Sequence, residues 1–384
     1  MVTRGFGLIV AAFIALCDAG PVRAADVKLP PSLSWSSYGV GTTGYSQSIA
    51  FGTVLRQAYG INLIVVSGRD DISRMETLRN GKVEFAVNGS GTFFGFEGVF
   101  HFGRPDLGPQ DVRLLASATS NANLQLAVSK RSGVKKYSDL KGKRVARIAG
   151  SPALLIGTEA ILAFGGLSWN DVIVVEFPSF AAAWAGMVNG KVDAAFASTV
   201  SRATRKLEAS PRGIYWPKMP RGDTAGWKRL KAVAPYFMPH IATSGSGITA
   251  RRPNEGAAYP FPVLIAYKGQ ASDELVYSMT RAIHEQLETL IVSNPVTASW
   301  AVENQTFRWA VPYHDAAIKY WAEAGLWTAA MQMHNDRLID RADILAAAWK
   351  KMKALGVAKD KFRDKWRSVR AAALTAAGFN PIWK

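Results

Sequence analysis

A chain of 384 residues that is 48% hydrophobic and 20% charged excludes a disordered or collagen-like polymer, and it can bury the core of one large or two ordinary domains. Lys and Arg number 46 against 29 Asp and Glu, and the formal net charge of +17 favours an anionic partner: nucleic acid, an acidic membrane surface or a small anion. A single cysteine, Cys17, excludes a disulfide scaffold, a CxxC redox site and a thiolate metal cluster.

At the start of the chain, Arg4 precedes an apolar run from Phe6 to Leu16, and small residues at Val22-Arg23-Ala24 follow. This is the pattern of a cleavable export signal over residues 1–24. The run is short of the roughly 20 residues a spanning helix needs, and no comparable run occurs later, so the mature chain is expected to be soluble and periplasmic. Leu16 directly before Cys17 fits a lipoprotein cleavage site poorly. Export also removes nucleic acid from the expected partners.

Beyond a polar linker at 26–31, short apolar strands alternate with amphipathic helices, the pattern of an α/β protein. A strand is expected from Leu33 to Tyr38, then a glycine-rich turn at Gly39–Gly44 and a helix from about Ser46. Strands at Ile61–Val66 and Val83–Val87 flank a helix from Asp71 to Arg79 that Gly81 closes. These three strands end in small polar loops, and in an open parallel sheet such carboxyl ends are where ligands bind. A second set follows after Val112–Ser117: a strand at Leu124–Val128, a short helix turning into a strand that ends near Arg147, a helix from Pro152 to about Phe164, a strand at Val172–Glu176, a helix to Asn189 and a strand at Ala194–Ala197. The strand Pro262–Tyr267, a long helix from about Ser272 to Val292 and a Trp-rich helical stretch to Trp327 come next. Residues 331–384 read as a basic helical extension. Trp349, Phe362 and Trp366 suggest one buried face that covers the body, while docking to a partner or an acidic lipid surface remains the other use of that charge.

Gly39-Val40-Gly41-Thr42-Thr43-Gly44 fits the GxGxxG dinucleotide pattern, with Asp70 about one βα unit later. The serine-rich strand before it and the export signal argue against nicotinamide binding. What survives is the physics of the motif: a helix start near Ser46 offers free N–H groups to an anion, and the glycines let the backbone approach it closely or else simply serve a turn that needs positive φ. Enzyme chemistry lacks parts. The histidines have no i, i+4 metal spacing, and neither a GxSxG elbow nor a P-loop occurs. Asp70-Asp71 stand where a helix begins, which suits capping better than acid–base work. No cofactor and no metal are expected.

The order of several segments is specific: Gly39–Tyr45, Ser67-Gly68, Val83–Asn88, Asp139-Leu140-Lys141-Gly142-Lys143-Arg144-Val145, Ser179-Phe180-Ala181 and Gly190–Phe196. Over roughly 33–327 the chain resembles the TAXI family, the TRAP-associated extracytoplasmic solute receptors. The resemblance implies a two-lobed periplasmic-binding fold of type II topology, with two crossings between lobes. It also implies a receptor that closes on a small organic anion (a carboxylate, 2-oxoacid or amino acid) and hands it to an ion-coupled TRAP membrane permease. The lobes are expected at 30–123 plus 269–330 and at 124–268. Matching positions place the ligand against Gly41, Thr42, Thr43, Tyr45, Asn88, Gly89 and Ser90 in one lobe, and Ser151, Ser179, Ser198 or Thr199 in the other. Ser46 after Tyr45, and Arg69-Asp70-Asp71 after the second strand, depart from the family pattern. Arg69 either pairs a second ligand carboxylate or bridges to Asp71 or Glu76, and Arg147 faces the same choice. The receptor of an ATP-driven importer, a periplasmic enzyme and a sensor's partner are the competing uses of such a fold.

Overall fold

The computed structural model describes residues 27–148 and 150–384, so the segment expected to be an export signal, with Cys17, lies outside the described residues. The first lobe opens with β1 (Ser32–Ser37), α1 (Thr43–Tyr59), β2 (Asn62–Ser67), α2 (Asp71–Arg79), β3 (Phe85–Asn88), α3 (Gly91–Glu97) and β4 (Val112–Ser117). The second contains β5 (Leu124–Ser129), β6 (Arg144–Ile148), α4 (Pro152–Phe164), β7 (Ile173–Phe177), α5 (Phe180–Val188), β8 (Ala194–Ser198), α6 (Arg202–Ala209), β9 (Ile214–Tyr215) and α7 (Thr224–Val233). A ribbon of β10 (Met238–Ala242) and β11 (Asn254–Ala258) leads back to β12 (Val263–Tyr267), followed by α8 (Asp273–Glu285), α9 (Leu287–Ser293) and α10 (Asp315–Glu323). The extension is α11 (Ala329–Ala354) and α12 (Lys359–Ala376).

Local chemistry sets these elements. Thr42 caps α1, its hydroxyl accepting from the Tyr45 amide at 3.3 Å, and Gly60 closes that helix in the left-handed region. Asp70 caps α2 through the Ser73 amide at 2.8 Å, and Ser73 answers by accepting from the Asp70 amide. β1 is buried in spite of its serines: Trp35 and Ser37 are inaccessible, and Ser37 Oγ lies 2.7 Å from Ser48 Oγ on α1. Pairing absorbs the hydroxyl of Ser37, and Ser34 Oγ donates to Glu84, while Ser36 Oγ is buried without a partner.

The two sheets have equivalent strand orders, β2-β1-β3-β12-β4 and β7-β6-β8-β5-β9. In each, three parallel strands are joined by one antiparallel strand from the neighbouring part of the chain. This is the two-lobed α/β architecture expected, with a correction: residues 263–267, expected in the second lobe, form β12 between β3 and β4 of the first sheet. The chain crosses at 118–123 and 259–262, and the crossings run side by side, the Phe261 amide donating to the Ala118 carbonyl at 2.9 Å. At their base Asn123 Nδ2 donates to the carbonyl and side-chain oxygen of Asn254, and His240 Nδ1 donates to Asn123 Oδ1 at 2.8 Å. The helix expected from 272 to 292 breaks at Gln286, which leaves helical geometry and donates to the Tyr59 hydroxyl, turning α9 towards α1. No helix among the described residues is long and apolar enough to cross a membrane.

The extension packs on the body. Glu97, at the end of α3, is inaccessible and accepts from both Arg341 on α11 and Arg370 on α12, with Arg341 Nε at 2.5 Å. Trp366 Nε1 donates to the Gly98 carbonyl at 2.6 Å. Trp383 packs its ring against Phe93, Phe94, Phe100 and Tyr236 and donates to the Val233 carbonyl of α7 at 2.8 Å. The extension therefore holds both lobes at once.

Glu97→Gln leaves two buried guanidiniums sharing one neutral acceptor, and a loss of about 3–5 kcal/mol is expected in urea denaturation; an unchanged midpoint would contradict the anchoring role. Burial also holds His101, His240, His284 and His314 below the ordinary value of 6.5. They stay neutral in the fold while the unfolded chain binds protons, so their contribution is present above about pH 6.5 and is lost as pH falls through the depressed values. The urea midpoint should drop between pH 7.5 and 5.5, and a flat profile would contradict this.

Candidate functional site

Because β1, β2 and β3 run parallel, the loops that follow them leave one edge of the first sheet; those after β6, β7 and β8 leave the matching edge of the second. The edges meet at α2 and α4. Asp71 Oδ2 accepts from the Ala153 amide in the first turn of α4 at 3.0 Å, joining the lobes. Asp71 Oδ1 pairs with Arg74 Nη2, one turn along α2, and both residues are buried, at 1% and 3% exposure.

Arg74 organises the first-lobe side. Its Nε and Nη2 donate to Asn88 Oδ1 at 3.3 and 3.2 Å, and its guanidinium lies 3.8 Å from the Tyr38 ring centroid. Burial pushes the Tyr38 hydroxyl far above its usual range, with Arg74 pulling the other way, so Tyr38 stays a neutral donor. Gly89 sits where a Cβ would strike both Tyr38 Oη and Phe261, which lets the third loop close on this cluster. Ser90 Oγ donates to the Tyr259 hydroxyl at 3.3 Å.

The structure gathers some of the expected residues and separates others. Asn88, Gly89 and Ser90 adjoin the Arg74 cluster, and Ser151, the N-cap of α4, stands two residues from the amide that Asp71 holds. In the first loop Gly41 has a positive φ of +90°, Thr42 is the cap of α1, and Thr43 Oγ1 is buried without a partner, while Tyr45 is half-buried. Ser179 caps α5, accepting from the Ala182 amide at 3.2 Å. Ser198 is nearly buried at the end of β8. Thr199 is inaccessible: its hydroxyl accepts from the Asn123 amide and donates to the Ser244 carbonyl, so it ties the crossing at 118–123 to the loop after β10. Arg69 is 83% exposed and lies 3.7 Å from Asp70, not from Asp71 or Glu76, because Arg74 already holds Asp71. Arg147 pairs with Glu176, its register partner on β7, at 3.2 Å.

Sequence reasoning passed over Arg74, Asp71 as a bridge and Tyr38. The signal was present: Asp71, Arg74, Met75 and Leu78 follow helical i, i+3, i+4, i+7 spacing, which puts two charges on the buried face of α2. A separate cavity of about 560 Å³ lies where the extension meets both lobes, lined by Phe100, Ile156, Glu159, Val233, Arg363 and Trp383 among others. Among the described residues no group of His, Cys, Asp and Glu is placed to hold a metal ion.

In sequence, residues 39–325 match the NMT1-like family. No curated protein matches the chain. Similar solved structures include an R. palustris protein with adipate, 16% identical, covering 83% of this chain and 99% of that one with a TM-score of 0.49. Another is the alkanesulfonate-binding protein of Xanthomonas axonopodis pv. citri bound to MOPS, 18% identical over 79% and 94% of the chains, with a TM-score of 0.42.

Thr199→Val should cost about 1–3 kcal/mol of stability by orphaning the Asn123 amide and the Ser244 carbonyl. Urea denaturation measures it, and a neutral result would mean the crossing strands do not depend on this hydroxyl.

Proposed function

We propose that this chain, which belongs to the NMT1-like family, is an extracytoplasmic receptor that captures a small organic anion between its two lobes. The observation that carries this reading is the guanidinium of Arg74, 3% exposed at the seam where the strand ends of both sheets meet. A buried arginine fixes a planar acid group in a way that an exposed lysine does not. Its Nε and Nη2 hold Asn88 and Asp71, and Asn88 Nδ2 beside it is buried without a partner, which leaves a donor for a ligand.

In this reading the first loop, with Gly41, Thr42, Thr43 and Tyr45, and the third, with Asn88, Gly89 and Ser90, surround the solute from one lobe. Ser151 and Ser179 approach it from the other, at the starts of α4 and α5. Ser198, at the end of β8, adds a hydroxyl from that lobe, and Arg69 and Arg147 are the candidates now paired with Asp70 and Glu176. The paired crossings at 118–123 and 259–262 form the hinge on which the lobes close. The net charge of +17 raises the encounter rate with anions. Delivery to a TRAP-type permease in the inner membrane, with the export signal removed near Ala24, completes the proposal and rests on the TAXI resemblance. It does not require catalysis.

A thermal-melt screen of residues 25–384 against mono- and dicarboxylates, 2-oxoacids and amino acids tests the reading. A solute at 100 times its Kd should add about 2.7 kcal/mol of stability and raise Tm, and Arg74→Gln should abolish the shift. Shifts with neutral solutes alone would overturn the anion assignment. Chemical conversion of a bound solute would replace the receptor with an enzyme, and genes for an ATP-driven permease beside this one would replace the TRAP partner.

A further inference from the structure

The receptor reading leaves one feature of the seam unused: the chain's own carboxylate stands where an acid ligand would be clamped. Asp71 is 1% exposed. One oxygen is held by Arg74 of the first lobe and the other by the Ala153 amide of the second, so each lobe supplies one donor. That is how a bound acid bridges two lobes.

The second-lobe donors are few. α4 has 13 residues, and its N-cap Ser151 makes no side-chain cap bond. Pro152 has no N–H, and the Leu155 amide already donates to the Ser151 carbonyl, which leaves the Ala153 and Leu154 amides to face the seam. The Ala153 amide, in the first turn, is given to Asp71.

Meanwhile the cluster holds more donors than its resident acceptors use. Asn88 Nδ2 is buried without a partner on the same side chain whose Oδ1 receives Arg74. A buried donor left open in this way marks a place for a further acceptor. A second carboxylate entering there would lie against the first, and like charges on one guanidinium repel.

We propose that Asp71 is a resident competitor for the solute's acid group, a specificity-determining residue that holds the lobes together in the solute-free chain and must yield its donors when a carboxylate binds. The proposal rests on the anion-receptor reading above. It sets affinity as a difference: a solute gains only what its own acid group offers beyond what Asp71 already makes. Solutes with a second polar group that reaches the first loop or Ser179 are then favoured over simple monocarboxylates.

The test compares the wild-type chain with Asp71→Asn and Asp71→Ser. Asparagine keeps the size and an acceptor for Arg74, and serine is a second route should the first variant melt early; thermal melting establishes that each is folded. Succinate, adipate and 2-oxoglutarate are the probes, titrated calorimetrically, and small-angle scattering gives the radius of gyration without solute. The expected result is about tenfold tighter binding of at least one probe by a folded variant, ~1.4 kcal/mol, with a larger solute-free radius as the lobes part. Equal or weaker binding by folded variants, when the wild type binds, overturns the competitor role and leaves the receptor reading standing. If no probe binds any of the three proteins, the competitor role falls, and the receptor reading is decided by the wider melt screen.

Discussion

A guanidinium taken out of water needs acceptors on its edges and a polarisable surface on its face, and the seam between the lobes is built around meeting that need at Arg74. Asn88, at the end of β3, Asp71, one turn back on α2, and the ring of Tyr38, just after β1, each supply a part. Three successive strand ends are therefore drawn to one point by one side chain. The second lobe joins through the other oxygen of Asp71. Replacing Arg74 removes the group on which four separate segments converge.

A second buried charge centre fixes the frame that the first works within. Glu97 receives two arginines from the extension, and the chain beyond them carries Trp383 to the α7 carbonyl of the other lobe. The lobes are linked by two crossing strands and also by a noncovalent strap on the side where Phe93, Phe94 and Tyr236 meet. Domain closure in such a molecule works against that strap, so its stiffness and the Asp71 bridge together set the balance between open and closed forms.

Much of the fold was legible because its signals are local. The Asp70 cap, the Asp71–Arg79 helix and the proline that opens α4 stand as the sequence suggests. The errors are long-range. Val263–Tyr267 reads as a strand from its apolar run, but nothing within it tells which sheet it joins, and it pairs with β3 and β4. The serines of β1 look exposed until Ser48 of α1 is brought across them. At the site, small hydroxyl residues at strand ends were legible as loop positions, while the Thr199 hydroxyl is spent between Asn123 of one crossing and Ser244 after β10. Arg74 was hidden for a different reason: a charge on the buried face of a helix reads as a solvated residue unless its partners are known, and Asn88 lies 14 residues away.

The most direct measurement is amide hydrogen exchange at Ala153, followed by NMR in the wild-type chain, in Asp71→Asn, and in that variant with a bound dicarboxylate. Occupation of this donor by Asp71 predicts a protected amide in the wild type, faster exchange in the solute-free variant, and renewed protection once the solute's acid group takes the place. The same exchange rate in all three would contradict it, because the Ala153 amide would then owe its protection to neither carboxylate.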